Sequence, residues 1–393
     1  MTVDVDRPGP ARAVGSVEAR LADARDGLAR RGAAALLIGV GSDLRYLTGH
    51  VAHPMERLTM LVLPATGDAA IVVPRLEAMA AAASPAGTAG LVDMVPWDET
   101  DDPYGIVAAR LAAAPDETVR TGHLLVDPSL WAMHLIALQR ALPGRSFGLA
   151  TEVTRELRIV KQPDEIERLR AAAHAADRAL DQIAHGRLIG RTEAEVSREI
   201  GERLVAEGHQ FAQFAIVASG PNSASPHHHA SERVIQAGEP IVFDIGGTLD
   251  AYCSDMTRTV WVTGGDVAMG PTEEFRTIHE LVRRANAEAT AAVGPGAACE
   301  QLDEVARRVI RQGGYGDSFI HRLGHGIGLD GHEDPYLVAD SADSLEPGMA
   351  FSIEPGIYLQ GQYGVRIEDI VVCGETGPDV LNQAPRELLV VDG

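Results

Sequence analysis

The sequence predicts two domains of mixed class: a smaller α/β region over residues 15–155, behind a tail at 1–14, and a larger α+β region over residues 156–393. Three observations carry this expectation. At 393 residues the chain is long for a single hydrophobic core. Helix-like and strand-like patterns alternate through the first part. In the second part a pair of helices followed by strands occurs twice, which suggests two related halves facing one another across a cleft.

The elements follow in chain order. "MTVDVDRPGPARAVGS" has no apolar run and reads as a loose tail, not a signal peptide. "SVEARLADARDGLARRG" reads as a helix leading into the strand "AALLIGV". "LTMLVLP" and "AAIVVP", separated by Thr66-Gly67-Asp68, read as a hairpin. The strand "HLLVD" and the helix-like "PSLWAMHLIALQRAL" complete the first region, which shows no constellation of catalytic residue types. The second region opens on a helix from Pro163, a residue suited to a first turn, with Asp164 and Glu165 at its positive end. Ile166, Leu169, Ala173, Ala176, Leu180 and Ile183 recur along it at helical spacing. A second helix starts behind Thr192, whose capping box is closed by Glu195. Strands are expected at "FAIVAS", "EPIVFDIGG" and "AYCSDMTRTVWVT". The pattern repeats with helices around Phe275–Val282 and Leu302–Val309, then strands at "MAFSIEPGIY" and "GVRIEDIVV".

Composition excludes several classes. A net charge of −22 disfavours nucleic acid and anionic membranes, which call for clustered Lys and Arg. No stretch of about 18 apolar residues is present to span a bilayer. Cys253, Cys299 and Cys373 are few, odd in number and far apart, the usage of reduced thiols in a cytoplasmic protein. Lys161 is the only lysine and sits just before a helix, which removes Walker A and pyridoxal-phosphate chemistry. No G-x-S-x-G is present for a serine hydrolase elbow.

Four acids stand on strand-like segments: Asp244 in "EPIVFDIGG", Asp255 eleven residues on, Glu354 in "MAFSIEPGIY", and Glu368 beside Arg366 in "GVRIEDIVV". A hairpin would bring Asp244 and Asp255 onto one face. Any one acid can be a cap, an edge charge or an ion-pair partner. Four together are costly to bury unless a cation joins them. Between the two pairs lies "HRLGHGIGLDGHEDPY", with His321, His325 and His332. It also satisfies G-x-G-x-x-G, but Gly331 is followed by His-Glu-Asp-Pro, a poor helix start, so the dinucleotide reading fails. The glycines are expected instead to let the backbone curve tightly around an imidazole.

With these motifs in order, the second region resembles the pita-bread metallopeptidases, a group that includes prolidase, aminopeptidase P, methionine aminopeptidase and the metal-free creatinase. The matching stretches are "SGPNSASPHHH", "VFDIGG…YCSDMTRTV", "HRLGHGIGLDGHEDP", "SIEPGIY" and "GVRIED". The first region, with "DLRYLTGH", is similar to the creatinase-type N-terminal domain. The resemblance implies a pita-bread catalytic fold holding two divalent ions per chain. Asp244 would hold one ion through both oxygens, Asp255 and Glu368 would bridge the pair, and His325 and Glu354 would complete the second. Four carboxylates and one imidazole suit Mn²⁺ or Co²⁺, with Zn²⁺ as a further alternative. Two such ions bring the pKa of a shared water toward roughly 7, so that it can attack a peptide carbonyl. Glu354 would then carry the proton to the leaving nitrogen. By the same resemblance His227 and His332 would donate hydrogen bonds to the tetrahedral intermediate, and His321 and Arg366 would line the substrate side. His228 and His229 read as bystanders.

The full ligand set argues against a creatinase-like or inactive binding protein. The large first region argues against a methionine aminopeptidase. What remains is a cytoplasmic peptidase cleaving before proline in short peptides: an Xaa-Pro dipeptidase, with aminopeptidase P as the alternative. The resemblance also implies a homodimer in which the first region of one chain helps wall its partner's cleft, with His50, His53 and Arg57 as candidates for that role.

Overall fold

A computed structural model describes residues 16–393, so the tail expected at 1–14 lies outside the described residues. The chain divides into two compact units between Arg158 and Ile159.

The first unit is a six-stranded mixed sheet with short helices. Its strands are β1 (Ala35–Ile38), β2 (Met60–Pro64), β3 (Ala70–Pro74), β4 (Asp93–Trp97), β5 (Leu124–Val126) and β6 (Phe147–Leu149), in the order β4-β3-β2-β1-β5-β6. The expected hairpin forms, with Met60 opposite Val72. Its turn uses Gly67 at a φ of 97°, where a Cβ would be strained. Among the described residues eight helices accompany the sheet: α1 (Val17–Arg31), α2 (Ser42–Thr48), α3 (Ala78–Ala82), α4 (Pro85–Thr88), α5 (Pro103–Ala112), α6 (Glu117–Thr121), α7 (Ala132–Ala141) and α8 (Thr151–Arg158). Leu37, Met60, Val62, Val72, Leu124 and Leu138 form the core on one face. His50 is buried here and its Nε2 takes no hydrogen bond among the described residues. His53 is exposed. Arg57 pairs within its own unit, with Glu77 at 3.2 Å and Glu56 at 3.4 Å.

The second unit has two helix-pair-and-sheet halves. The first half begins with α9 (Pro163–Ala184) and α10 (Glu193–Ala206). In the latter's capping box Glu195 N donates to Thr192 Oγ1 at 3.2 Å, and Thr192 N donates to Glu195 Oε2 at 2.9 Å. Strands β7 (Phe211–Ser219), β8 (Glu239–Leu249), β9 (Tyr252–Cys253) and β10 (Met256–Val262) follow. The second half opens with α11 (Glu273–Ala291) and α12 (Cys299–Gln312). Strands β11 (Gly324–Gly326), β12 (Glu333–Leu337), β13 (Ala350–Ile353), β14 (Gly356–Leu359), β15 (Tyr363–Arg366), β16 (Asp369–Cys373), β17 (Pro378–Val380) and β18 (Leu389–Val391) complete the chain. One sheet runs β18-β10-β8-β7 with β9 on β8; the other runs β12-β11-β13-β16-β17, and β14 pairs with β15 as a ribbon. The stripes read from sequence bury as expected. Leu180, Ile183, Val196 and Ile200 pack on Phe243, Ile245 and Val260, while Phe275, Ile278, Leu302 and Val309 pack on Phe351, Ile353 and Val371.

Three segments expected as single strands are each two. The chain breaks its ladder at Ser254–Asp255, at Glu354–Pro355 and at Ile367–Glu368. Pro355 has no N–H to continue a ladder. At both of the later breaks the chain passes between the five-stranded sheet and the ribbon. Each break leaves an acid at its seam, so three of the four acids sit where the sheet is interrupted.

Candidate metal centre

The centre is organised around the β8–β10 pair. Asp244 lies opposite Thr257, and Asp255 is two residues before Thr257, which places the two carboxylates diagonally on one face. Thr257 also links the halves. It forms an isolated antiparallel bridge with Glu368, whose amide donates to the Thr257 carbonyl at 3.0 Å. The Thr257 hydroxyl donates to Glu368 Oε2 at 2.7 Å and accepts from Arg366 Nε at 3.0 Å.

His325 enters from β11, where its amide donates to Ser352 Oγ at 3.1 Å. Its Nδ1 lies 3.1 Å from the Gly326 carbonyl, which can only accept, so Nδ1 carries the proton and a neutral ring turns an unprotonated Nε2 inward. That nitrogen is 3.4 Å from Glu354 Oε1 and 3.6 Å from Asp255 Oδ2. Burial, then the neighbouring His332, pushes the His325 pKa down to about 3, which keeps the ring neutral. A histidine whose outer N–H is fixed by a carbonyl is the usual form of a metal ligand. The glycines here do not take positive φ. They serve close approach: a Cβ on Gly324 would collide with the Ser352 carbonyl, and one on Gly326 with the Asp334 carbonyl. Tight strand contact, not a curved loop, is what they permit.

The acids are held against their own preference. Burial raises Asp244, Asp255 and Glu368, and neighbouring carboxylates push the last two further. Burial also raises Glu354, to about 7. Ligand atoms of Asp244, Asp255 and Glu368 lie within 4.8 Å of one another, as do those of His325, Glu354 and Glu368. Asp244 Oδ1 is buried without a hydrogen-bond partner among the described residues. An acceptor left bare in a crowd of carboxylates fits a divalent cation, so the donor set suits the two ions inferred from sequence.

Further contacts add to the sequence reading. Arg366, expected on the substrate side, donates through Nη2 to Asp244 Oδ2 at 2.5 Å. Asp244 was expected to give both oxygens to one ion; here one oxygen is engaged by a guanidinium, which neutralises it in a buried setting. His332 was expected outside the metal ligands. It stacks on His325 with ring centroids 3.7 Å apart, and one of its nitrogens lies within 4.8 Å of ligand atoms of Asp255 and His325. His321 has both nitrogens committed, Nδ1 to the Arg322 carbonyl at 2.8 Å and Nε2 to Tyr358 Oη at 2.9 Å. Tyr358, which also accepts from Arg366 Nη1 at 2.9 Å, was not singled out from sequence. A Cβ on Gly356, two residues earlier, would collide with the Tyr358 hydroxyl, a contact that only the fold reveals.

His227, His321, His325, His332, Asp244, Asp255, Glu354, Arg366 and Glu368 all line one cavity of about 480 Å³, with Phe214, Ile216, Pro226 and Arg322. A larger cavity of about 580 Å³ lies between α9, β10 and residues 383–389. It gathers no such set: Asp177 is spent on Asn382 and the Gln383 amide, and Arg258 on Asp369 and backbone carbonyls. Among the described residues, the metal-competent groups all lie in the second unit.

Comparison with known proteins agrees with this geometry. Residues 167–375 match the model of metallopeptidase family M24, and residues 20–160 match the creatinase/prolidase N-terminal domain. The chain belongs to metallopeptidase family M24 and is a peptidase of that family. A relative from Mycobacterium tuberculosis, described as a probable dipeptidase PepE, is 46% identical over 95% of this chain and 96% of its own length. The crystal structure of dipeptidase PepE from Mycobacterium ulcerans superposes with a TM-score of 0.88 at 44% identity, covering 95% of this chain and 98% of that one. That of a prolidase from Thermococcus sibiricus gives 0.86 at 35% identity, covering 95% and 99%. The creatinase-like N-terminal and pita-bread C-terminal architecture is therefore the fold of this protein. Among the described residues no helix is long and apolar enough to cross a membrane.

Proposed function

We propose that the protein is a cytoplasmic Xaa-Pro dipeptidase, working as a homodimer with two divalent ions per chain, Mn²⁺ being the metal best matched to the donors. The observation that carries this reading is a buried neutral imidazole, His325, aiming Nε2 among Asp255, Glu354 and Glu368 at the floor of one cavity. Asp244, Asp255, His325, Glu354 and Glu368 are the ligands. Bound there, two divalent cations supply Lewis-acid polarisation and an acidified water. The remaining chemistry belongs to side chains. His227 and His332 hold the developing oxyanion, each as a hydrogen-bond donor. Glu354, fixed by Ser352 Oγ at 3.2 Å, passes a proton to the departing nitrogen. Phe214, Ile216 and Pro226 give the cavity apolar wall that suits a pyrrolidine ring. The names of the mycobacterial relatives favour a dipeptidase over an aminopeptidase.

The test is cleavage in the presence of Mn²⁺ of an Xaa-Pro dipeptide against a tripeptide bearing the same two residues. Preference for the dipeptide supports the reading. Preference for the tripeptide makes the protein an aminopeptidase P, and full activity after exhaustive chelation removes the metal.

A further inference from the structure

The segment that carries His227 has little regular structure. Between β7 and β8 there is one short 3-10 turn, Gly220–Ala224, and no strand. The His227 ring takes no hydrogen-bond partner among the described residues, so no hydrogen bond of its own fixes its direction. Its neighbours are fixed instead. On one side the Pro226 carbonyl accepts from Arg366 Nη1 at 3.2 Å. On the other, His228 Nε2 lies 2.8 Å from Glu193 Oε2.

Glu193 is an unusual anchor. It is the first residue of α10 and fully buried, where the helix N-terminus favours a negative charge. Its Oε1 accepts from the Ser219 amide at 2.8 Å, the Ser219 hydroxyl at 2.7 Å and Asn222 Nδ2 at 3.0 Å. Its Oε2 accepts from the Ser231 amide at 3.1 Å and the Ser231 hydroxyl at 2.6 Å, besides His228. The carboxylate thus gathers the end of β7 and both ends of the His227 segment onto one rigid point. Charge-assisted hydrogen bonds of this kind hold geometry more firmly than neutral ones. Of the residues it grips, His228 alone is adjacent to His227.

We infer that His228, anchored by the carboxylate of Glu193, is a positioning residue that fixes the direction of His227 in the cleft. Neither touches the reacting atoms; they act through His227. The inference rests on the reading of His227 as an oxyanion donor. It also predicts which atom matters: Nε2–H as a donor, which a glutamine side chain can supply at the same reach.

The experiment is a double-mutant cycle on the full-length, metal-loaded enzyme, read in kcat, KM and metal content. His228→Ala is expected to lower kcat on the order of tenfold, as loss of a supporting shell does, with KM and metal content little changed. His228→Gln is expected to restore most of it. In a His227→Ala background, His228→Ala should cost less than about twofold more, because the residue it positions is gone. Ser219→Ala, which removes another donor to Glu193 away from His227, should lower the melting temperature but leave kcat intact. The inference is overturned if His228→Ala leaves kcat unchanged, if its loss persists in full in the His227→Ala background, or if Ser219→Ala lowers kcat as much. If His227→Ala itself leaves kcat unchanged, the oxyanion reading of His227 fails first, and this inference with it.

Discussion

In the first half of the second unit, His227 hangs from a segment gripped by a carboxylate that accepts hydroxyl, amide and imidazole donors. In the second half, His332 directly precedes Glu333, whose Oε1 is locked 2.7 Å from the ammonium of Lys161. The two anchors do the same work with different physics. Glu193 spreads its stabilisation over many donors, so losing one leaves the rest. Glu333 instead faces a full opposite charge, and both side chains are nearly buried, 2% exposed for Lys161 and 11% for Glu333. Losing one of several neutral donors costs little, whereas losing the cation of a buried ion pair costs much more. The sole lysine of the chain, which at first only excluded other chemistries, acquires a role in this comparison.

The largest effect is expected where the halves meet. Asp255 belongs to the first half and Glu368 to the second, yet on the proposed reading both would serve the two ions together. Asp255→Ala and Glu368→Ala should each take activity to background and metal content from about two ions per chain to fewer than one, measured by elemental analysis. A variant that retains one tightly held ion would show that its half binds independently.

Next comes Lys161→Met. Removing the ammonium leaves Glu333 charged and enclosed, a change that costs roughly 3–5 kcal/mol. The melting temperature should fall by about 10 °C. Lys161→Met combined with Glu333→Gln should recover much of the loss, since the buried carboxylate charge is then gone as well. Ser219→Ala, the matched lesion in the other half, should cost only about 1 kcal/mol. Equal costs for the two lesions would erase the distinction between the anchors.

The two histidines themselves should respond alike in rate. His227→Ala and His332→Ala are each expected to lower kcat about a hundredfold. They separate in metal content. His227→Ala should leave it whole, and the same outcome is expected for His332→Ala even though that ring lies within ligand reach of Asp255 and His325. Metal loss in His332→Ala would move it into the coordination sphere.

These comparisons also show what the sequence made legible. Long periodic segments were readable: the apolar stripes of α9 and α10, the Thr192–Glu195 box, and the β2–β3 hairpin all follow local rules. The acids were readable because a carboxylate in an apolar strand violates burial preference. The strand breaks at Asp255, Glu354 and Glu368 were not, since where a strand changes partners is set by the rest of the sheet. Short elements such as α3, α4 and α6 hold too few residues for a period to appear. Glu193 was hidden as an ordinary acidic first-turn residue, and His228 as one member of a histidine tract. Their roles come from Ser219, Asn222 and Ser231, up to 38 residues along the chain, which only the fold assembles.

The smallest expected effect sharpens the account of Glu193 through pH. Burial alone would raise its carboxyl, but hydrogen bonds from Ser231, Ser219 and His228 outweigh that and bring the pKa down to about 2, from an ordinary 4.5. Because the folded value lies below the unfolded one, the unfolded chain binds the proton first as pH falls. The stabilisation is therefore fully present above about pH 4.5 and is lost between there and about pH 2. Each unit of pH in that window removes about 1.4 kcal/mol. Other carboxylates titrate in the same range, so the wild-type curve alone does not isolate this group. The difference from Glu193→Gln does, because the titrations of carboxylates remote from Glu193 cancel. The gap in unfolding free energy between the two proteins, followed by denaturant titration, should narrow by about 1 kcal/mol between about pH 5 and pH 3.5. A gap that stays constant would mean that the carboxylate is not held below its ordinary range. The hydrogen bonds from Ser219, Ser231 and His228 would then be too weak to serve as an anchor.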